Sequence, residues 1–236
     1  MKLSAVLVLV ATAQAFAAPV PKRTPNNFGT AVETKGVTCE MPQPGELRVR
    51  VSKEAASETK AHEVARPLFT RTVEGDFELT LRISHNPPEA KDLTVVGRGE
   101  PIASAGIALY KKDAERGSLV ILNRLSQGKE SWDTYFKMFA LYETKDARGV
   151  IGDLSSHHKF SGTPIYLRVT RRGDEFTATK SADGKQWSPV FEESHKVPGL
   201  GDAVVIGPVA IHNTNGQYDV TFDEYDLKPL KKEEKK

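Results

Sequence analysis

From Gly75 to Ser84 the chain reads GDFELTLRIS, with Phe77, Leu79, Leu81 and Ile83 alternating with Glu78, Thr80 and Arg82. Successive side chains of a strand point to opposite faces, so this alternation predicts a strand buried on one side and wet on the other. Gly45–Val51 repeats the pattern, setting Leu47, Val49 and Val51 against Arg48 and Arg50. Ile165–Arg171 does the same with Ile165, Leu167 and Val169 against Tyr166, Arg168 and Thr170. Further strand-like runs are Ala105–Tyr110, Ser118–Asn123, Met138–Tyr142, Glu175–Lys180, Val204–His212 and Tyr218–Leu227. Gly, Pro, Asn and Asp separate them, and no segment sustains a helical period. The expectation is an all-β antiparallel sandwich or barrel.

Arg172-Gly173-Asp174 joins two of these runs as a hairpin turn, and Ser181-Ala182-Asp183-Gly184 supplies a second turn before Trp187. Ser52–Glu63 is polar and without an apolar stripe, which predicts a loop with at most a short helical turn. Met41-Pro42-Gln43-Pro44-Gly45 is a cluster of strand breakers.

The N-terminus follows a different logic. Residues 1–17 combine Lys2, an apolar run and Ala15-Phe16-Ala17, the arrangement of a cleaved export leader. The run is shorter than the roughly 20 apolar residues that span a bilayer. The expected organisation is a leader at 1–17, an exposed lead-in at 18–44, one β-domain at 45–228 and a charged tail at 229–236. Placement is expected to be periplasmic or extracellular. The single cysteine, Cys39, precludes an intrachain disulfide and a Cys-based zinc site, leaving a thiol that is either buried or available to pair between chains. A formal net charge of +2 argues against a nucleic-acid binder with a broad basic face.

Pro164–Trp187 (PIYLRVTRRGDEFTATKSADGKQW) carries a family resemblance, joined by Ala65–Ser84, Ser104–Tyr110 and Ile206–Leu227 with Phe222-Asp223. These segments resemble a bacterial concanavalin A-like family of unknown function, sometimes labelled for regulation of enolase. The resemblance covers roughly residues 65–228 and implies a jelly-roll sandwich of two antiparallel sheets. It implies no established activity; related sandwiches serve as lectins, glycanases and accessory modules of polysaccharide enzymes. Arg116–Phe160 departs from the family pattern; loops within it, expected between Gly128 and Phe136, would shape any ligand site.

A glycanase on this fold needs two carboxylates across a cleft. Asp223-Glu224-Tyr225-Asp226 is the nearest acidic cluster. Adjacent Asp223 and Glu224 point to opposite faces of a regular strand, and Asp226 is again of the wrong parity unless a bulge intervenes. No catalytic residue is therefore assigned. No cofactor is expected; a structural calcium held by Asp223 with Asn213, Asn215 or Asp219 is conceivable but not indicated. His157 and His158 lack an identifiable third ligand, so no metal site is assigned. Gly97-Arg98-Gly99 lacks the rest of a phosphate-loop fingerprint.

Sugar rings stack on aromatic faces, and Trp132–Phe139 concentrates aromatics in a chain with 8% of them. Trp132 and Tyr135, with His157 and His158, are the candidate ligand-binding residues. Ser181–Trp187 nearly matches the Asp-box hairpin of sialidases, in which Asp183 is a turn former and Trp187 packs in the core or on the hairpin. The expected function is a secreted, non-catalytic sandwich that binds a glycan or serves as an accessory surface module. The alternatives are a secreted glycoside hydrolase with carboxylates from different strands, and a structural or protein-interaction module.

Overall fold

The computed structural model describes residues 28–55, 68–86, 94–96, 101–112, 118–127, 132–143, 148–156 and 164–231; in 113–163, side chains are described for Ile121, Phe136 and Met138. Residues 1–17, expected as an export leader, residues 18–27 and most of the charged tail lie outside these residues, as do His157, His158 and Gly97-Arg98-Gly99.

Fifteen strands are present among the described residues. In chain order they are β1 (Thr30–Ala31), β2 (Val37–Gln43), β3 (Glu46–Val51), β4 (Phe69–Glu74), β5 (Phe77–Asn86), β6 (Ile102–Lys111), β7 (Ser118–Gln127) and β8 (Trp132–Glu143). Then follow β9 (Arg148–Ser156), β10 (Ile165–Arg172), β11 (Glu175–Ser181), β12 (Ser188–Pro189), β13 (His195–Lys196), β14 (Ala203–His212) and β15 (Tyr218–Pro229). A 3-10 turn, Lys53–Ala55, follows β3.

The strands form two antiparallel sheets of a jelly-roll β-sandwich. One runs β1-β4-β14-β6-β7-β8-β9; the other runs β12-β11-β10-β5-β15-β3-β2, with β13 paired to β11. The alternation read from the sequence sets the packing. Phe77, Leu79, Leu81 and Ile83 meet Leu47, Leu167 and Phe222 on the inner face of the eight-stranded sheet. Ile107, Leu109, Ile121, Phe136 and Ile206 face them from the other sheet. Each such side chain contributes about 1.5–3 kcal/mol by leaving water, so one continuous core holds both sheets. Strands β6 and β14 are buried on both sides: Ala108 and Val209, of opposite parity to the core residues, form a second small cluster flanked by Tyr110 and Ile211.

At one end of the core, Tyr218 is fully buried and its hydroxyl lies 2.5 Å from His85 Nδ1. His212, from the opposite sheet, donates from Nε2 to the Ser52 carbonyl at 3.0 Å and sets its Nδ1 3.1 Å from the Thr214 hydroxyl. Burial lowers the His212 pKa, so the imidazole stays neutral, with its proton on the nitrogen that faces the carbonyl.

Three expectations need correction. First, the segment 18–44 is not simply an exposed lead-in. Phe28 is wholly buried against Phe69 and Tyr225, and β1 and β2 belong to the sheets. Gly29 makes that entry possible: its φ is +97°, and a Cβ there would sit 2.2 Å from the Thr70 carbonyl oxygen. Second, the Met41–Gly45 breaker cluster does not prevent a strand, because β2 lies at the sheet edge, where Pro42 interrupts no central ladder. Third, the loop expected between Gly128 and Phe136 gives way from Trp132 onward to β8, which pairs with β7 and β9; the strand-like runs Ser118–Asn123 and Met138–Tyr142 fall within β7 and β8. Cys39, on edge strand β2, is half-buried against the core, and burial raises its thiol pKa.

Candidate functional site

The outer face of the eight-stranded sheet carries the positions that alternate with the core. Register places Tyr166 of β10 opposite Arg82 of β5, Arg82 opposite Asp223 of β15, Asp223 opposite Glu46 of β3, and Glu46 opposite Gln43 of β2. One polar row thus crosses five strands.

Its centre is a β-bulge. The β15–β5 register shifts between Asp223 and Asp226, and Glu224 has φ of +50°, the only positive value at a non-glycine among the described residues. The extra residue turns both neighbouring carboxylates to one side, which overturns the parity argument for Asp223 and Glu224. Arg82 Nε lies 3.2 Å from Asp223 Oδ1, and Arg82 Nη1 donates to Glu224 Oε1 at 3.1 Å. The Tyr166 hydroxyl donates to the same Glu224 oxygen at 3.1 Å. Burial, reinforced by Glu224, raises the Tyr166 phenol pKa and keeps that hydroxyl a donor. Burial works against the Arg82 charge, but Asp223, Tyr166 and Glu224 outweigh it and the pKa rises. Glu46 continues the row, accepting from Arg48 Nε at 2.8 Å and from the Gln43 amide.

At the β10 end stands Trp187. The guanidinium carbon of Arg168 lies 3.7 Å from its ring centre, Tyr166 meets it edge-on at 6.4 Å, and its indole N–H donates to the Gly184 carbonyl at 3.2 Å. Trp187 is half-buried and outside the core, so of its two expected roles it takes hairpin packing. Asp183 forms the turn as expected: Oδ1 accepts from the Lys185 and Gln186 amides at 2.8 and 2.9 Å and from the Ser181 hydroxyl at 2.9 Å. These bonds lower its pKa to about 2. Gly184, at φ +71°, completes the turn. At the opposite end of the face, Thr38, Glu40, Arg48, Arg50, Asp219 and Thr221 line a shallow groove of about 130 Å³.

Trp132 and Tyr135 lie on β8, opposite Gln127 and Arg124, on a strand rather than in a loop. Their side chains, and the whole of His157 and His158, are outside what is described. The oxygens named for calcium have other partners. Asn213 Oδ1 accepts from the Ile102 amide at 2.7 Å, Asn215 Oδ1 from the Thr94 amide at 2.8 Å, and Asp219 is paired with Arg50. Among the described residues no cluster of three or more His, Cys, Asp or Glu is placed to hold a metal.

No family model matches the sequence, and no curated protein matches it. Solved structures do resemble it. A functionally unknown protein from Saccharomyces cerevisiae is 16% identical, with a TM-score of 0.59 over 86% of this chain and 97% of that one. A mutant of a GH43 protein from Bacillus licheniformis is 14% identical, with a TM-score of 0.55 over 91% of this chain and 40% of that one. A xylan β-1,4-xylosidase from Bacillus halodurans C-125 is 12% identical, with a TM-score of 0.51 over 92% of this chain and 41% of that one. The chain thus spans about two fifths of the length of either enzyme, and at these identities the likeness establishes the fold. No helix among the described residues is long and apolar enough to cross a membrane.

Proposed function

We propose that the protein is an exported, non-catalytic glycan-binding sandwich, and that its ligand surface is the polar row around Arg82. The bulge at Asp223–Asp226 carries this reading. It holds Glu224 in a strained backbone conformation and aims a carboxylate where a regular strand would not. The row joins features that suit a sugar: paired acceptors and donors for vicinal hydroxyls, and aromatic rings at Tyr166 and Trp187. Arg82 is ion-paired with both central carboxylates, which favours a binding role for them over proton transfer. That the GH43 protein and the xylosidase share the sandwich supports a carbohydrate ligand. The sequence resemblance to the family labelled for regulation of enolase fits the same fold. Residues 1–17 support export, and intact mass of protein from the native host should lack them.

The test is a glycan array of the mature protein, repeated with Arg82→Ala and Trp187→Ala. Retention of a glycan by the wild type and its loss in both folded variants is expected; silence across the array sinks the reading. Trp132 and Tyr135, with His157 and His158, are a second proposed surface, and Trp132→Ala distinguishes it. The bulge also favours one rival, a glycoside hydrolase using Asp223 and Glu224. Reducing-sugar release from xylan that vanishes in Glu224→Gln would establish that rival.

A further inference from the structure

Resting on the reading just given, we infer that the ligand is an extended, uncharged polysaccharide chain laid across the strands, rather than a single sugar or a polyanion. Length is the first argument. The row from Tyr166 through Arg82, Asp223 and Glu46 to Gln43 crosses four inter-strand steps. At about 4.8 Å per step it extends roughly 19 Å. Trp187 extends it beyond β10, where Arg168 covers its ring. The groove between Arg48, Arg50, Asp219 and Thr221 lies beside the other end of the row, two to four residues along β3 and β15 from Glu46 and Asp223. Contacts at both ends of one face are of use only to a ligand that reaches both.

Charge is the second argument. The four guanidiniums along the row and the groove each have a carboxylate: Arg82 has Asp223 and Glu224, Arg168 has Glu78 at 3.6 Å, Arg48 has Glu46, and Arg50 has Asp219 at 3.1 Å. A polyuronate would have to displace one of these partners. Carboxylate oxygens retain spare lone pairs after such pairing, and these accept from sugar hydroxyls. The face is therefore matched to neutral hydroxyl-bearing units.

Titration calorimetry with xylo- and cello-oligosaccharides of one to six units, and with oligogalacturonides of the same lengths, tests this on the mature protein. The expected result, in one neutral series, is affinity rising at least tenfold from monomer to hexamer. Arg48→Ala and Trp187→Ala, both checked for unchanged circular dichroism, should each weaken the hexamer at least threefold. Equal affinity for monomer and hexamer overturns the inference while leaving glycan binding intact. Tighter binding of the oligogalacturonide overturns the uncharged class. Silence from both neutral series overturns the inference, and the glycan array then decides separately whether the underlying reading fails with it.

Discussion

Glu224 and Arg82 meet at 3.1 Å across two central strands, although Asp223, the residue before Glu224, meets the same guanidinium. Only the bulge permits both contacts, and its backbone angle at Glu224 is costly. A non-glycine residue in the left-handed region gives up roughly 1–2 kcal/mol, while a partly exposed ion pair returns under about 1 kcal/mol. Glu224→Gly should therefore leave the melting temperature unchanged or raise it by a few degrees, and abolish glycan retention. Glu224→Ala keeps the strained angle and loses the contact, so it should melt lower than Glu224→Gly. Equal melting of the two variants would mean that the bulge stores no strain.

The core was legible because Phe77, Leu79, Leu81 and Ile83 state their own periodicity, as do Ile165, Leu167 and Val169. The outer row was hidden in the complementary positions: Arg82, Tyr166, Arg168 and Glu46 read as ordinary solvent-facing residues until register aligns them. The bulge could not be read at all, since parity reasoning presupposes a regular ladder. Edge strand β2 was masked by Pro42 and Pro44, and β9 by Gly149, Gly152 and its serines, because edges tolerate residues that central strands exclude.

Trp187 packs on Arg168 outside the core, so its truncation should cost less than that of a core aromatic. A stacked cation and partial burial together amount to about 1–2 kcal/mol. Phe222, fully buried between the sheets, should lose about 3–5 kcal/mol on truncation to Ala. Thermal melts of Trp187→Ala and Phe222→Ala should differ accordingly, with the second far lower. A larger loss at Trp187 would return that residue to the core.

Arg171 is buried, and its guanidinium donates to the Gly173 carbonyl at 2.8 Å, the Asp202 carbonyl at 3.2 Å and the Gly201 carbonyl. It pins the 200–202 loop to the β10–β11 hairpin. Arg171→Met leaves those carbonyls without their donor, at a cost of about 2 kcal/mol. Amide exchange in 199–203 should accelerate more than exchange in β5. Uniform acceleration would show that the arginine supports the whole fold rather than this loop.

Asp183 gives an acid-limb signature. Hydrogen bonds from Gln186, Lys185 and Ser181 hold its pKa at about 2, below the roughly 3.9 of an unfolded chain. The folded carboxylate is the depressed partner, so its stabilisation is complete above pH ~4 and disappears as pH falls through about 2. Asp183→Asn keeps an acceptor but cannot titrate. The melting-temperature gap between wild type and variant should be constant from pH 7 to 5 and close between pH 4 and 2. A gap independent of pH would remove the carboxylate's charge from the turn's stability.

Lys180 points the other way. It is 5% exposed, its Nζ has no hydrogen-bond partner, and it lies 5.4 Å from the centre of the Phe136 ring on the opposite sheet. Desolvation lowers its pKa to about 8, against roughly 10.4 when unfolded. Between those values the unfolded chain holds a proton that the folded chain has released, so stability rises with pH across that window. Below pH 8 the buried charge is a standing penalty, partly offset by the aromatic ring. Lys180→Met fills similar space without the charge and should stabilise the protein at pH 7 by about 2 kcal/mol. The gain should shrink from pH 8 upward and be nearly gone at pH 10.5, when the folded amine is neutral and the unfolded one is about half deprotonated. Urea midpoints of the two proteins at pH 7, 9 and 10.5 measure this directly. A gain of the same size at all three pH values would assign it to packing against Phe136 rather than to the ammonium charge.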